Sequence, residues 1–177
     1  MKIKIIAIIC ALGFMVSALL TAADMTMYHI PGYYRYQFEG HEVLGDLNRD
    51  MDMKNALYAF DEMMEYLRGN RENLNIEVTA DGARQEFYNA REKAHLKDVR
   101  NIVLKAYRLR FIAALICLIS LIYIIIHCKH HQSARFSIRK TFVATCIITN
   151  AAFLLIVGIA AVNFDKAFTI FHRVLFS

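Results

Sequence analysis

Tryptophan is absent from the 177 residues, proline occurs once and glycine seven times. A chain this poor in turn formers is neither collagen-like nor low-complexity, and it does not read as a β-barrel. Of four cysteines, Cys10, Cys117 and Cys146 lie within apolar runs and Cys128 lies at the edge of one. Residues 24–108 therefore offer no disulfide framework, and they contain no serine either. Glycine-rich phosphate loops, Gly-x-Ser-x-Gly elbows and His-Glu-x-x-His pairs are missing throughout. Serine-nucleophile chemistry has no support.

Charge is missing from three blocks, Ile5–Ala23, Phe111–Ile126 and Phe142–Val162, of 19, 16 and 21 residues. A helix that crosses a bilayer needs ~20 apolar residues. The middle block reaches that length once Leu109, Arg110 and His127 count as its snorkelling ends. The expected fold is an all-α membrane protein: three transmembrane helices plus a small helical extracytoplasmic domain. The expected boundaries are a first span over 1–23, the extracytoplasmic domain over 24–108 and a second span over 109–128. A basic loop over 129–140, a third span over 141–163 and an interfacial tail over 164–177 complete them.

Acid is missing from the N-terminal stub, which carries Lys2 and Lys4, and from the loop carrying Lys129, Arg135, Arg139 and Lys140. The segment from Asp24 to Arg100 instead holds ten basic and fifteen acidic residues. Basic residues in short loops stay cytoplasmic. This predicts a multi-pass protein of the cytoplasmic membrane with its N-terminus and the 129–140 loop inside. The main domain and tail are then outside. The overall charge of +5 belongs to the inner loops and membrane edges and is no nucleic-acid footprint. The first apolar run is longer than a signal-peptide core, which favours a retained anchor. No lipobox precedes Cys10.

Tyr28, Tyr33, Tyr34, Tyr36 and Phe38 read as an interfacial belt, and the alternation of Tyr34, Tyr36 and Phe38 also permits a short strand. Leu57, Phe60, Met63, Met64 and Leu67 mark one face of a helix over Met53–Arg68, with Asp50 or Asp52 as its cap and Gly69 as its end. After a turn-rich link, Thr79 or Asp81 is expected to cap a second helix that continues through Ala83–Tyr107 into the second span.

Glu92, His95 and Asp98 lie three apart, which on a helix forms a slowly winding polar stripe. A carboxylate near an imidazole fixes its tautomer and raises its basicity, as a general base requires. The plainer reading is a solvated face. His172 follows the third span and shares the outer side with His95 by topology. Its surroundings suggest a helix returning to the interface. His127-Cys128-Lys129-His130-His131 invites a metal reading, but one short run encloses a cation poorly, and a basic lipid-facing loop is favoured. Asn150, in mid-span, suits bonding to another helix or to a lipid-linked substrate.

Met63-Met64-Glu65-Tyr66-Leu67, Phe87, Glu92-Lys-Ala-His95-Leu-Lys-Asp98-Val99-Arg100 and Phe168-Thr169-Ile-Phe171-His172-Arg173-Val174-Leu175-Phe176 occur in that order. Together they resemble the small bacterial integral membrane family of lipoprotein intramolecular transacylases, Lit. The resemblance implies transfer of the sn-2 acyl chain of a diacylglyceryl-cysteine to that cysteine's own α-amine, giving a lyso-form lipoprotein. It implies diacylglyceryl lipoproteins and membrane lipid as partners, no nucleic acid, and neither metal nor organic cofactor. His95 and His172 become the catalytic candidates, supported by Glu92 and Asp98. Arg100, Arg173, Phe171 and Asn150 become candidates for binding substrate. Family members continue past the Phe-His segment into a fourth span; this sequence ends at Ser177. The rival expectations are a non-catalytic envelope sensor or partner subunit, and a membrane lipid-ester hydrolase using the same histidines on water.

Overall fold

The structure, a computed structural model, describes residues 2–41, 43–46, 50–128 and 132–175. Seven helices and two strands occur among them: α1 (Lys2–Tyr28), α2 (Tyr33–Gly40), α3 (Val43–Asp46), α4 (Met53–Arg68), β1 (Glu77–Ala80), β2 (Ala83–Glu86), α5 (Ala90–Cys128), α6 (Gln132–Val162) and α7 (Phe164–Leu175). Three helices are long and apolar enough to cross a membrane: α1, α5, and α6 over Arg135–Val162. The chain divides into two compact units, residues 22–107, and residues 1–21 with 108–177.

In the first unit, α4 forms where its sequence periodicity predicts. The Asp52 side chain accepts from the Asn55 backbone N–H at 2.8 Å, and Gly69 ends the helix in the left-handed region. The cap hydrogen bonds hold the Asp52 carboxyl below its ordinary range. Ala56, Ala59, Met64 and Leu67 then face a core closed by Leu74, Ile76, Val78 and Ala80. Arg71 fastens the intervening link: it pairs with Glu62 and donates to the carbonyls of Asn73 and Asn75.

One expectation and one permitted alternative fail in this unit. The segment expected to start the second helix is an antiparallel hairpin, with Glu77 opposite Glu86 and Ala80 opposite Ala83. Its two-residue loop is Asp81-Gly82, at φ 54° and 75°. That positive-φ pair closes strands with the right twist, and glycine adopts it without a Cβ clash. Val78 and Ala80 point into the core while Glu77 and Thr79 face out. The helical domain is thus mixed, and α5 starts at Ala90. The second correction is at Tyr34, Tyr36 and Phe38, which lie on α2 and not on a strand. Tyr34 and Phe38, one turn apart, set their rings 4.4 and 5.5 Å from Phe60, whereas Tyr36 is exposed. The aromatic pair is part of the core.

In the membrane-spanning unit, α1 packs against α5 through small residues. A Cβ at Gly13 would stand 2.8 Å from the Ala113 carbonyl oxygen, so only glycine permits the approach. Cys10 and Cys117 meet one turn away, Sγ to Sγ 3.9 Å. α6 joins through Phe14 and Phe142, and through Ile138 packed with Ala7 and Cys128. Residues 132–140, expected as loop, form the first turns of α6. The most apolar stretch of α6 is exposed along its length, as a lipid-facing helix requires.

Candidate functional site

The start of α5 is fixed by its cap. Asn89 Oδ1 accepts from the backbone N–H groups of Arg91 and Glu92, each at 3.0 Å, and Glu92 Oε2 accepts from the Asn89 N–H at 2.8 Å. This reciprocal pair is a capping box. It engages Glu92 with the helix end, a use that its spacing from His95 did not suggest. Beside it, Tyr88 donates to the Ala59 carbonyl, and burial together with the Glu92 charge pushes the Tyr88 hydroxyl pKa well up.

Leu96 and Val99 then pack against the core. His95 stands about 40° round the helix from Val99, at the border of that packed stripe, and Asp98 about 60° from His95. Both His95 and Asp98 are exposed. A border position steadies the backbone under the imidazole and leaves the ring accessible.

Arg100 lies elsewhere. Five residues carry it about 140° from His95 round α5, and its guanidinium stacks 4.5 Å over the Tyr66 ring. With Lys93, Lys97, Asn101 and Glu72 it lines a separate cavity of about 540 Å³. The Arg100 Nε is buried there without a hydrogen-bond partner among the described residues. Lys93 pairs with Glu86 and donates to Asn75 Oδ1 at 3.0 Å. Lys93 and Lys97 were not singled out in the sequence, although their spacing with Arg100, four and then three residues, already places all three on one face.

His172, Phe171 and Arg173 lie on α7, all exposed. The break before α7 follows from Asn163, whose Oδ1 accepts from the Lys166 N–H at 3.1 Å and restarts the helix. Phe164, Phe168, Ile170, Phe171 and Val174 form its apolar face, with Asp165, Thr169 and Arg173 opposite. His172 borders the two, its ring 5.9 Å from that of Phe168. Phe171 lines an apolar cavity of about 760 Å³ formed with Ile159 and Lys166. Asn150 donates to the Cys146 carbonyl at 3.0 Å and lies 3.5 Å from Met15 Sδ, ties that join α6 to α1. Lys129, His130 and His131 lie outside the described residues. His127 stacks on Tyr123, and no metal-ligating cluster occurs among the described residues.

Comparison with known proteins bears on this arrangement. The family model described as lipoprotein intramolecular transacylase Lit matches residues 8–177. No curated protein matches. Among solved structures, the chain is similar to the membrane integral lipoprotein intramolecular transacylase Lit from Bacillus cereus, in a variant with one histidine changed to arginine. The identity is 20%, the match covers 99% of this chain and 70% of that one, and the TM-score is 0.68. At that identity the likeness is one of fold.

Proposed function

Since the chain belongs to the lipoprotein intramolecular transacylase family, we propose that His95 and His172 carry its acyl transfer. The observation that carries the functional reading is the family match, which includes both histidine segments. The reaction moves the sn-2 acyl chain of a diacylglyceryl lipoprotein onto its N-terminal cysteine amine and leaves a lyso-form lipoprotein. The substrate contains its own nucleophile, so the protein needs none, in keeping with the lack of serine and cysteine over residues 24–108.

The protein's task is to position and to move protons. An α-amine has a pKa of ~8 and is partly protonated at neutral pH. One imidazole takes the amine proton as nitrogen attacks the sn-2 ester carbonyl. The carbon–nitrogen bond forms, the bond between the acyl carbon and the glyceryl oxygen breaks, and the second imidazole protonates that departing oxygen. Bond and proton balance close on these two groups. Holding amine and ester in one molecule supplies the proximity.

Asp98 is the carboxylate we assign to His95, because Glu92 is engaged in the capping box. The oxyanion needs a cation or amide donor. Arg173, on the same helix as His172, suits that role better than Arg100, which faces away from His95 round α5. Phe171 and its cavity suit an acyl chain. Asn150 suits helix packing more than substrate contact. The charge bias of the sequence supports an extracytoplasmic site for residues 24–108 and α7.

The test is the N-terminal peptide of a reporter lipoprotein from cells making each variant. His95→Ala and His172→Ala should each leave the diacylglyceryl peptide unconverted with membrane insertion intact. Full conversion by either variant overturns that residue's assignment.

A further inference from the structure

The unit of residues 22–107 holds the cavity of about 540 Å³ beside Arg100, and none of the residues assigned to the acyl transfer lines it. From α5 come Lys93, Lys97, Arg100 and Asn101; the link before β1 supplies Glu72, Asn73 and Asn75. Arg100 and Asn101 stand three and four residues after Lys97, so one helix face carries all three. Lys93 is matched within the chain, by Glu86 and by Asn75 Oδ1.

The other two cations are not matched in this way. Neither Lys97 nor Arg100 forms an ion pair among the described residues. Arg100 is nevertheless held in place. Its guanidinium stacks 4.5 Å over the Tyr66 ring, and a Cβ at Gly69 would come within 4.0 Å of its Nη2. Its Nε is buried with no hydrogen-bond partner among the described residues. A buried donor left without an acceptor is costly, and a guanidinium fixed in advance loses little freedom on meeting an anion. The asparagines add further donors. Asn73 Oδ1 accepts from the Asn75 N–H at 3.1 Å and Asn75 Oδ1 accepts from Lys93, which leaves both Nδ2 groups to donate.

We propose that this cavity binds a hydroxyl-bearing phosphodiester of the glycerophosphate type, with its phosphate at Lys97 and Arg100 and its hydroxyls at Glu72 and the asparagine amides. A wall rich in donors calls for an anion rich in acceptors, and a guanidinium beside an ammonium suits phosphate oxygens. Lys97, Arg100 and Glu72 together leave the wall one net positive charge, which the single charge of a diester balances. The Glu72 carboxylate accepts only, so it asks the ligand for hydroxyl donors. The volume falls in the range of small-molecule sites. This chemistry occurs both in lipid headgroups and in water-soluble glycerophosphodiesters. The inference stands apart from the acyl transfer.

The experiment uses the full chain purified in neutral detergent. Glycerophosphoglycerol, inorganic phosphate and glycerol are each titrated alone by calorimetry, and phosphatidylglycerol is followed by native mass spectrometry. Glycerophosphoglycerol should bind, with phosphate and glycerol each weaker by about tenfold or more. Lys97→Gln and Arg100→Gln should each weaken diester binding about tenfold. Asn101→Asp, at an exposed position, should abolish it by placing a second carboxylate in the wall. Lys105→Gln removes the same charge from an exposed position of α5 outside the cavity and should leave binding unchanged. Circular dichroism and gel filtration confirm that each variant is folded. Retention of phosphatidylglycerol that Asn101→Asp abolishes makes a lipid headgroup the source, and binding of glycerophosphoglycerol alone makes it a soluble diester. Binding of neither diester, phosphate or glycerol matching the diester, full affinity in folded Asn101→Asp, or an equal loss in Lys105→Gln would overturn the proposal.

Discussion

Glu92 and Asp98 stand on either side of His95, three residues away in sequence, yet their surroundings differ. Glu92 completes the capping box of α5, and glutamine completes such a box equally well. Glu92→Gln should therefore keep activity within a few-fold of the parent. Asp98→Asn should cost ~10²-fold, within the range of acid–base support. Rates of lyso-form production from purified substrate check both, and the reverse order would return Glu92 to the catalytic group. Cys117→Ser should be silent, since the substrate amine is the nucleophile. The two histidines are proposed from motif order in the sequence. The place of Arg100 was equally available, because five residues turn a helix by about 140°, but a run of adjacent charged residues reads as one site until it is wrapped onto a helix.

At the level of elements, legibility followed the range of the forces. α4 was readable end to end because its cap, its period and its terminal glycine are all local. The hairpin was not. Ala83, Arg84, Gln85 and Glu86 are ordinary helix formers, and they become a strand because the backbone of Glu77–Ala80 pairs with them, a tertiary effect that outweighs propensity. Asp81-Gly82 was the available signal. Tyr34, Tyr36 and Phe38 fit both a period of two and a helical turn, and Phe60 decides between them. The basic residues before the third span could not distinguish loop from helix, because Arg135 and Arg139 extend α6. Two outcomes belong to this scale. Asn89→Ala should lower stability by ~1 kcal/mol through loss of the α5 cap, read as a lower unfolding temperature. Asp52 has its carboxyl pKa lowered from 3.8 by the cap bonds to Asn55. Its contribution is therefore fully present above that value and fades as pH falls through the folded pKa. The unfolding temperatures of Asp52→Ala and the parent should differ at neutral pH and converge in strong acid.

For the whole molecule, sidedness and reaction are the claims with most at stake. Residues 24–108 contain no cysteine, so in a chain with Cys10, Cys117, Cys128 and Cys146 changed to serine, Tyr58→Cys, at a position 47% exposed, reports on those residues alone. A membrane-impermeant maleimide should label it in intact cells and leave Phe136→Cys unlabelled until the membrane is opened; the opposite pattern inverts the topology. The reaction has a sharper signature, because intramolecular transfer produces an isomer. The deciding measurement is fragmentation mass spectrometry of a reporter lipoprotein's N-terminal peptide, with and without this protein. Intramolecular transfer leaves the intact mass unchanged, with one acyl chain relocated from the glyceryl group to the cysteine nitrogen. A peptide lighter by one acyl chain, with free fatty acid released, would show a hydrolase, and an unaltered diacylglyceryl peptide would show no catalysis; either result rules out intramolecular transfer.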